Sequence, residues 1–214
     1  SESPVETEEG IIEPIKPENI AVGNLLGADG KFYAKALEVL QVTGKDPLAI
    51  VAYISSNGSY VDLYKNKYNC LLMSIKRFNK IKWSAELYKD SCQTSVLSDY
   101  TSEPNYIMDG YNVTYDLATG CGKSHDHRAA WNVWQSKKNY EDFAFGGESW
   151  KPDSSVEFCN TWFLPSIGQF EMALKSLGGY TWSPSNGLGP RDSSSKLIEQ
   201  MKKKFVDAGL EGVF

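Results

Sequence analysis

The sequence predicts an α+β domain with short, mostly antiparallel strands, long loops and two to four helices. Uninterrupted apolar, β-prone runs occur within the first 75 residues, whereas long segments with helical apolar spacing occur only after residue 123. Turn dipeptides and stretches rich in Ser, Asn and Gly separate these elements. The length of 214 residues suits one domain, which we expect over residues 19–214.

Residues 1–18 are predicted to be an acidic leader. They carry six glutamates and three prolines against one basic residue, Lys16. Such a composition predicts a flexible stretch that buries no apolar surface. The leader is either a tether between an anchor and the domain or an ordinary terminus.

The first predicted elements are strands. Asp29-Gly30, within residues 23–33, is a hairpin-turn signal. Residues 48–54 form a continuous apolar run that predicts a buried strand, and the turn signal Asn57-Gly58 follows it. Residues 68–75 predict another strand, and residues 84–89 a short helix.

Two long loops are predicted, over residues 98–123 around Asp109-Gly110 and over residues 146–161. Between them we expect a helix that is capped by Ser124 and runs to about Lys138. Its predicted face consists of Ala130, Val133, Trp134 and Lys137.

The clearest helix start follows Pro165, where Ser166 and Gln169 fit the capping box S-x-x-Q. Gly178-Gly179 is expected to end this helix, and a last helix is predicted from about Ser195 to Gly209. The apolar faces are predicted to be Ile167, Phe170, Leu174 and Leu177 in the first of these helices, and Leu197, Met201, Phe205 and Ala208 in the second.

Charge and hydropathy argue against two classes of protein. The net charge of −5 disfavours a protein that coats nucleic acid or an anionic membrane. No apolar run approaches the roughly 18 residues of a membrane helix, so we expect no transmembrane segment. The chain starts at Ser1 rather than Met, which leaves room for a lipid anchor upstream.

Cysteine usage leaves the redox state open. The spacing of the four cysteines includes no C-x-x-C pair, which disfavours a zinc ribbon, and three disulfide pairings are possible. Cys70 lies in an apolar run, where a buried free thiol is the simplest interpretation. The four are Cys70, Cys92, Cys121 and Cys159.

Three motifs suggest ligand chemistry, but each is incomplete. The stretch of residues 120–124 ends in Gly-Lys-Ser, yet the position that a phosphate-binding loop fills with Gly is Leu117. His125 and His127 lack an identifiable third zinc ligand. Glu103 and Asn105, which flank Pro104, offer oxygen ligands for calcium, although a turn at Pro104 is favoured. We therefore predict no catalytic residue, metal or cofactor.

One stretch resembles a known family. Trp162-Phe163-Leu164-Pro165-Ser166, which we call the signature segment, and the following Gln169 are similar to the W-F-L-P-S signature of bacterial C-type-lectin-like modules. These modules are of the Lcl C-terminal or major paralogous domain type and occur in Gram-negative surface lipoproteins. The early Asp29-Gly30, the strand at residues 48–54 and the stretch at residues 124–130 resemble the same family in the same order. The late strand pair of the family has no counterpart before Phe214.

The resemblance implies a C-type-lectin-like fold and a non-catalytic binding or adhesion module, surface-exposed or secreted. Its ligand would be a glycan or a partner surface protein. The pair Glu103 and Asn105 also matches the E-P-N tripeptide of calcium-dependent lectins, but the partner tripeptide W-N-D appears here as Trp131-Asn132-Val133. Aromatic residues in predicted loops are the candidate ligand contacts: Tyr106, Tyr111, Tyr115, Trp150, Tyr180 and Trp182.

Two alternatives remain open. Relatives of this fold include the formylglycine-generating oxidases, for which Cys121 and Cys159 would be the reactive pair. The chain could instead be a structural accessory subunit of a surface assembly.

Overall fold

The computed structural model describes residues 10–54, 60–61, 67–75, 110–119, 128–139, 162–178 and 194–212. Within these ranges the chain mixes strands and helices, as predicted. The six strands are β1 (Leu25–Leu26), β2 (Phe32–Tyr33), β3 (Ala49–Ile54), β4 (Tyr60–Val61), β5 (Lys67–Tyr68) and β6 (Cys70–Ser74). The five helices are α1 (Ala36–Thr43), α2 (Gly110–Thr119), α3 (Arg128–Asn139), α4 (Ile167–Gly178) and α5 (Ser194–Asp207).

Four strands form the central sheet in the order β2-β1-β3-β6, and every pair is antiparallel. Strands β4 and β5 form a separate antiparallel pair. The predicted hairpin turn joins β1 to β2, and Gly30 has the positive φ of 79° that the turn requires. The two runs predicted as strands became β3 and β6, so the apolar patterning of this region was a sufficient signal.

Alternating side chains of the sheet enter two separate apolar clusters. Leu25, Tyr33, Ile50 and Ala52 pack on one face against α4 and α5. Their strand neighbours Leu26, Phe32, Ala49 and Val51 pack on the other face. This division follows from the period of two along a β-strand. A third cluster, formed by Leu117, Ala118 and Ala130, joins α2 to α3.

Residues 10–18 pack against the domain, contrary to the expectation that the leader buries no apolar surface. Ile12 lies against the first sheet cluster and Ile15 against the second. The Ile15 N–H also donates to the Phe32 carbonyl at 2.7 Å. Two apolar residues of this stretch therefore contact the domain although the composition around them is acidic.

Two predictions about helices were wrong. The structure contains five described helices rather than two to four, because α1 gave no recognised signal and α2 occupies part of the predicted loop at residues 98–123. The N-cap residue of α1 is Lys35, which is not a usual capping residue. The Glu38 carboxylate in the first turn instead accepts the N–H groups of Ala34 and Lys35, at 3.0 Å each.

The helices predicted near the C-terminus are present, with one change of face. Helix α4 ends at Gly178. Met201 and Phe205 in α5, and Ala208 directly after it, are buried as expected. Phe170, however, is 51% exposed, and Ala173 takes its place against the sheet. The α3 helix also matches its prediction, although Ser124, its proposed cap, lies outside the described residues.

Gly209 ends α5 with a φ of +82°. A substitution to alanine places a Cβ in this left-handed conformation and 3.4 Å from the Cβ of Ala36. We expect Gly209→Ala to lower the free energy of unfolding by about 1–2 kcal/mol, measured by urea denaturation. Gly10→Ala is the matched control, because nothing lies within 4 Å of its added Cβ, and a comparable loss there would contradict the explanation.

Candidate functional site

The signature segment connects the sheet to the α2–α3 pair. Trp162 packs against the second sheet cluster, which contains Leu26 and Val51. Two residues later, Leu164 packs against the cluster between α2 and α3. The segment therefore joins two cores, and its position makes the surrounding region the candidate functional site.

Ser166 and Gln169 form the predicted capping box at the start of α4. The Ser166 N–H donates to the Gln169 side-chain oxygen at 3.1 Å, and the Gln169 N–H donates to Ser166 Oγ at 3.2 Å. These bonds satisfy donors that the first turn of a helix otherwise leaves without partners. The Gln169 side chain is only 2% exposed, so its polar atoms depend on such bonds.

The same Gln169 oxygen also caps α2. It accepts the Gly110 N–H at 3.0 Å, so two helix N-termini meet at one buried acceptor. Thr114 adds two bonds at this point, because its hydroxyl donates to the Gly110 carbonyl at 2.7 Å and accepts the Leu164 N–H at 2.9 Å. We call these hydrogen-bonded residues, Gly110, Thr114, Leu164, Ser166 and Gln169, the junction. The buried polar groups of the signature segment and α2 are thereby paired with each other.

Only glycine fits at position 110. A Cβ there would lie 2.3 Å from the Leu164 carbonyl oxygen and 2.5 Å from the Gln169 side-chain oxygen. The dipeptide Asp109-Gly110 predicts a turn, whereas Gly110 is the first residue of α2 and allows the close approach of Leu164 and Gln169. The helical spacing of Tyr111, Thr114 and Leu117, all buried, was the signal that could have revealed α2.

An aromatic cluster lies beside this junction. The ring of Trp134 on α3 meets Tyr111 and Tyr115 on α2 edge-on, with centroids 5.3 and 5.1 Å apart. Tyr111 also meets Phe163 of the signature segment at 5.8 Å. Tyr115, Trp134 and Phe163 are half-buried, so the cluster presents part of its aromatic surface to solvent. Edge-to-face contacts of this kind fix ring orientation.

Two candidate ligand residues of the sequence analysis belong to this cluster, but not in the predicted setting. Tyr111 and Tyr115 lie on a helix rather than in a loop, and Tyr111 is only 9% exposed. Tyr111 therefore belongs to the buried part of the cluster, and the prediction that it is an exposed contact is wrong. The remaining candidates lie outside the described residues: Tyr106, Trp150, Tyr180, Trp182, Glu103, Asn105, His125 and His127.

Trp131-Asn132-Val133 lies within helix α3, and all three residues are half-buried. In the part of the chain that the structure describes, no three His, Cys, Asp or Glu side chains are grouped to hold a metal ion. None of the described helices has the length and hydrophobicity needed to cross a membrane.

Cys70, the one cysteine within the described ranges, is a free thiol in β6. Burial raises the pKa of this thiol to about 12. The thiolate is the reactive form of cysteine, so we expect Cys70 to react slowly near neutral pH. Cys121 and Cys159, the pair considered for an oxidase, lie outside the described residues, as does Cys92.

Comparisons of the chain with protein-family models, with curated proteins and with solved structures gave no match. The similarity of the signature segment to C-type-lectin-like modules therefore rests on the residues of that segment.

The buried junction predicts a clear order of stability among Gln169 variants. Gln169→Leu leaves the Gly110 and Ser166 N–H groups without their acceptor and should lower the free energy of unfolding by about 2–5 kcal/mol, measured by urea denaturation. Gln169→Glu keeps an acceptor oxygen at two helix N-termini, where negative charge is favourable, and should lose less. Equal losses in the two variants would contradict the proposed role of the oxygen.

Cys70 offers a test of burial. Iodoacetamide at pH 8 should alkylate native Cys70 on the order of 1,000-fold more slowly than the urea-unfolded chain, because so little thiolate is present. The native rate should rise about tenfold per pH unit up to pH 12, where the raised pKa allows ionisation. Peptide mapping by mass spectrometry measures the rates. A cysteine at the exposed neighbouring position, Asn69→Cys, is the control that should react rapidly.

Proposed function

We propose that this chain is a non-catalytic binding module with a C-type-lectin-like fold, carried on a cell surface or secreted. The observation that supports this function best is the half-buried aromatic cluster, which is attached directly to the signature segment through Tyr111 and Phe163. Aromatic rings are favoured in binding surfaces because they offer large, rigid apolar area at low entropic cost.

The ligand that we propose is a glycan or a partner surface protein. Tyr115 and Trp134 would provide the contact, since both are half-buried and their rings are held edge-on at 5.1 Å. Asn112 is half-buried and lies three residues before Tyr115 on α2, so a hydrogen-bonding side chain shares the helix face of that ring. Flat aromatic faces with adjacent polar groups suit the apolar faces and hydroxyls of sugars.

A structural accessory subunit of a surface assembly is the second candidate. It is favoured by the outer edge of β6, where an uncharged strand ends the described sheet.

A glycan array tests the proposed function. We expect specific binding that persists when calcium is replaced by a chelator, because the aromatic cluster needs no metal. Binding that disappears with chelator would assign the site to Glu103 and Asn105 instead. An absence of glycan binding would leave the protein-partner form of the proposal, tested by capture of a surface protein.

Substitutions locate the binding surface. Tyr115→Ala should weaken binding at least tenfold, about 1.4 kcal/mol, while far-ultraviolet circular dichroism remains unchanged. Phe170→Ala is the matched control, because Phe170 is an exposed aromatic residue on another helix. Equal losses in the two variants, or none in Tyr115→Ala, would contradict this surface.

A further inference from the structure

Residues 10–20 lie along the outer edge of β2, and we call them the N-terminal strap. Ile12 packs against the first sheet cluster, whereas Ile15 and Ile20 pack against the second. The two clusters lie on opposite faces of the sheet, because side chains alternate along a β-strand. The strap therefore contacts both apolar faces of the sheet as well as the edge of β2.

The backbone pairing between the strap and β2 is short. The Ile15 N–H donates to the Phe32 carbonyl at 2.7 Å, and the two residues form an isolated bridge rather than part of a ladder. Pro14 and Pro17, before and after Ile15, have no N–H and donate nothing to the sheet. The chain then enters a single 3-10 turn at Pro17–Asn19, in which no residue is buried. Backbone hydrogen bonds of the ladder type thus do not hold the strap in place.

The side chains of the strap also remain partly in solvent. None of residues 10–20 is buried, since Ile12, Ile15 and Ile20 are half-buried and Ile11 is 92% exposed. In contrast, all residues of β1 and β2 are at most 2% exposed. Segments with few buried contacts open at a lower free energy than the strands of a core. The strap can therefore detach while the sheet stays folded.

The connection between the strap and β1 is fixed without help from the strap. The Ala21 N–H donates to the Asn24 side-chain oxygen at 2.6 Å, and the Asn24 N–H donates to the Ala21 carbonyl at 3.0 Å. Gly23 donates its N–H to the Val51 carbonyl at 2.9 Å, which ties this turn to β3. Opening of the strap leaves all three bonds intact, so its hinge lies between Ile20 and Ala21.

We propose that the strap opens as a unit about this hinge and that the edge it uncovers accepts the strap of a second copy of the chain. The occupant follows from the structure, which shows this same segment seated on the edge with its isoleucines in both clusters. The strap of the same chain competes at high effective concentration, so we expect exchange between unaltered copies to be rare. The strap is thus a built-in competitor for its own edge. This inference is independent of the proposed ligand, since it is tested without one.

Amide hydrogen exchange of the unaltered chain tests whether the strap opens by itself. The Ile15 amide should have a protection factor about tenfold or more below that of the Gly27 amide, which donates to the Lys31 carbonyl within the β1–β2 hairpin. Its exchange should also depend little on low urea concentrations, because opening of the strap exposes little surface. Equal protection with equal urea dependence would mean that the strap opens only when the sheet unfolds, which overturns the proposal.

A synthetic peptide of residues 10–20 tests whether the edge accepts this segment from solution. Ile15→Pro in the full chain removes the bridging N–H and the isoleucine side chain, and so raises the open fraction. The variant should bind the labelled peptide about tenfold or more tightly than the unaltered chain, because the apparent dissociation constant is divided by the fraction that is open. Fluorescence anisotropy measures the binding.

Two controls accompany the peptide experiment. Ile11→Ser alters a strap residue that is 92% exposed, so its affinity should equal that of the unaltered chain. A peptide with serine in place of Ile12 and Ile15 should not bind, because it lacks the side chains that enter the two clusters. Failure of a folded Ile15→Pro variant to bind, or equal binding of the two peptides, overturns the proposal. If Ile15→Pro does not fold, as judged by circular dichroism, the exchange comparison decides.

Discussion

One buried oxygen, that of the Gln169 side chain, positions much of the described helical structure. It accepts N–H groups from Ser166 at the start of α4 and from Gly110 at the start of α2. Both helices carry partial positive charge at these ends, so a shared acceptor stabilises the convergence of two N-termini that would otherwise repel. The closeness of this approach requires glycine at position 110, and it leaves the Leu164 backbone within reach of the Thr114 hydroxyl.

The signature segment links this pair of helix N-termini to the sheet. Trp162 and Leu164 enter different clusters, and Phe163 between them meets Tyr111. The aromatic cluster therefore rests on two helices and on a segment whose Leu164 N–H is held by the Thr114 hydroxyl. Helices hold side chains more accurately than loops do.

The sequence by itself determined the elements whose signals are local. The hairpin at Asp29-Gly30, the apolar strands β3 and β6 and the capping box of α4 follow from residues adjacent in the chain, because turn conformation, strand burial and helix capping depend on near neighbours. Tertiary structure alone decided the roles of Gly110 and Phe170. Gly110 starts a helix because an oxygen 59 residues away accepts its N–H, and Phe170 is exposed because the sheet lies on the Ala173 side of α4. Periodicity identifies the apolar residues of a helix, but the neighbouring elements determine which of them are buried.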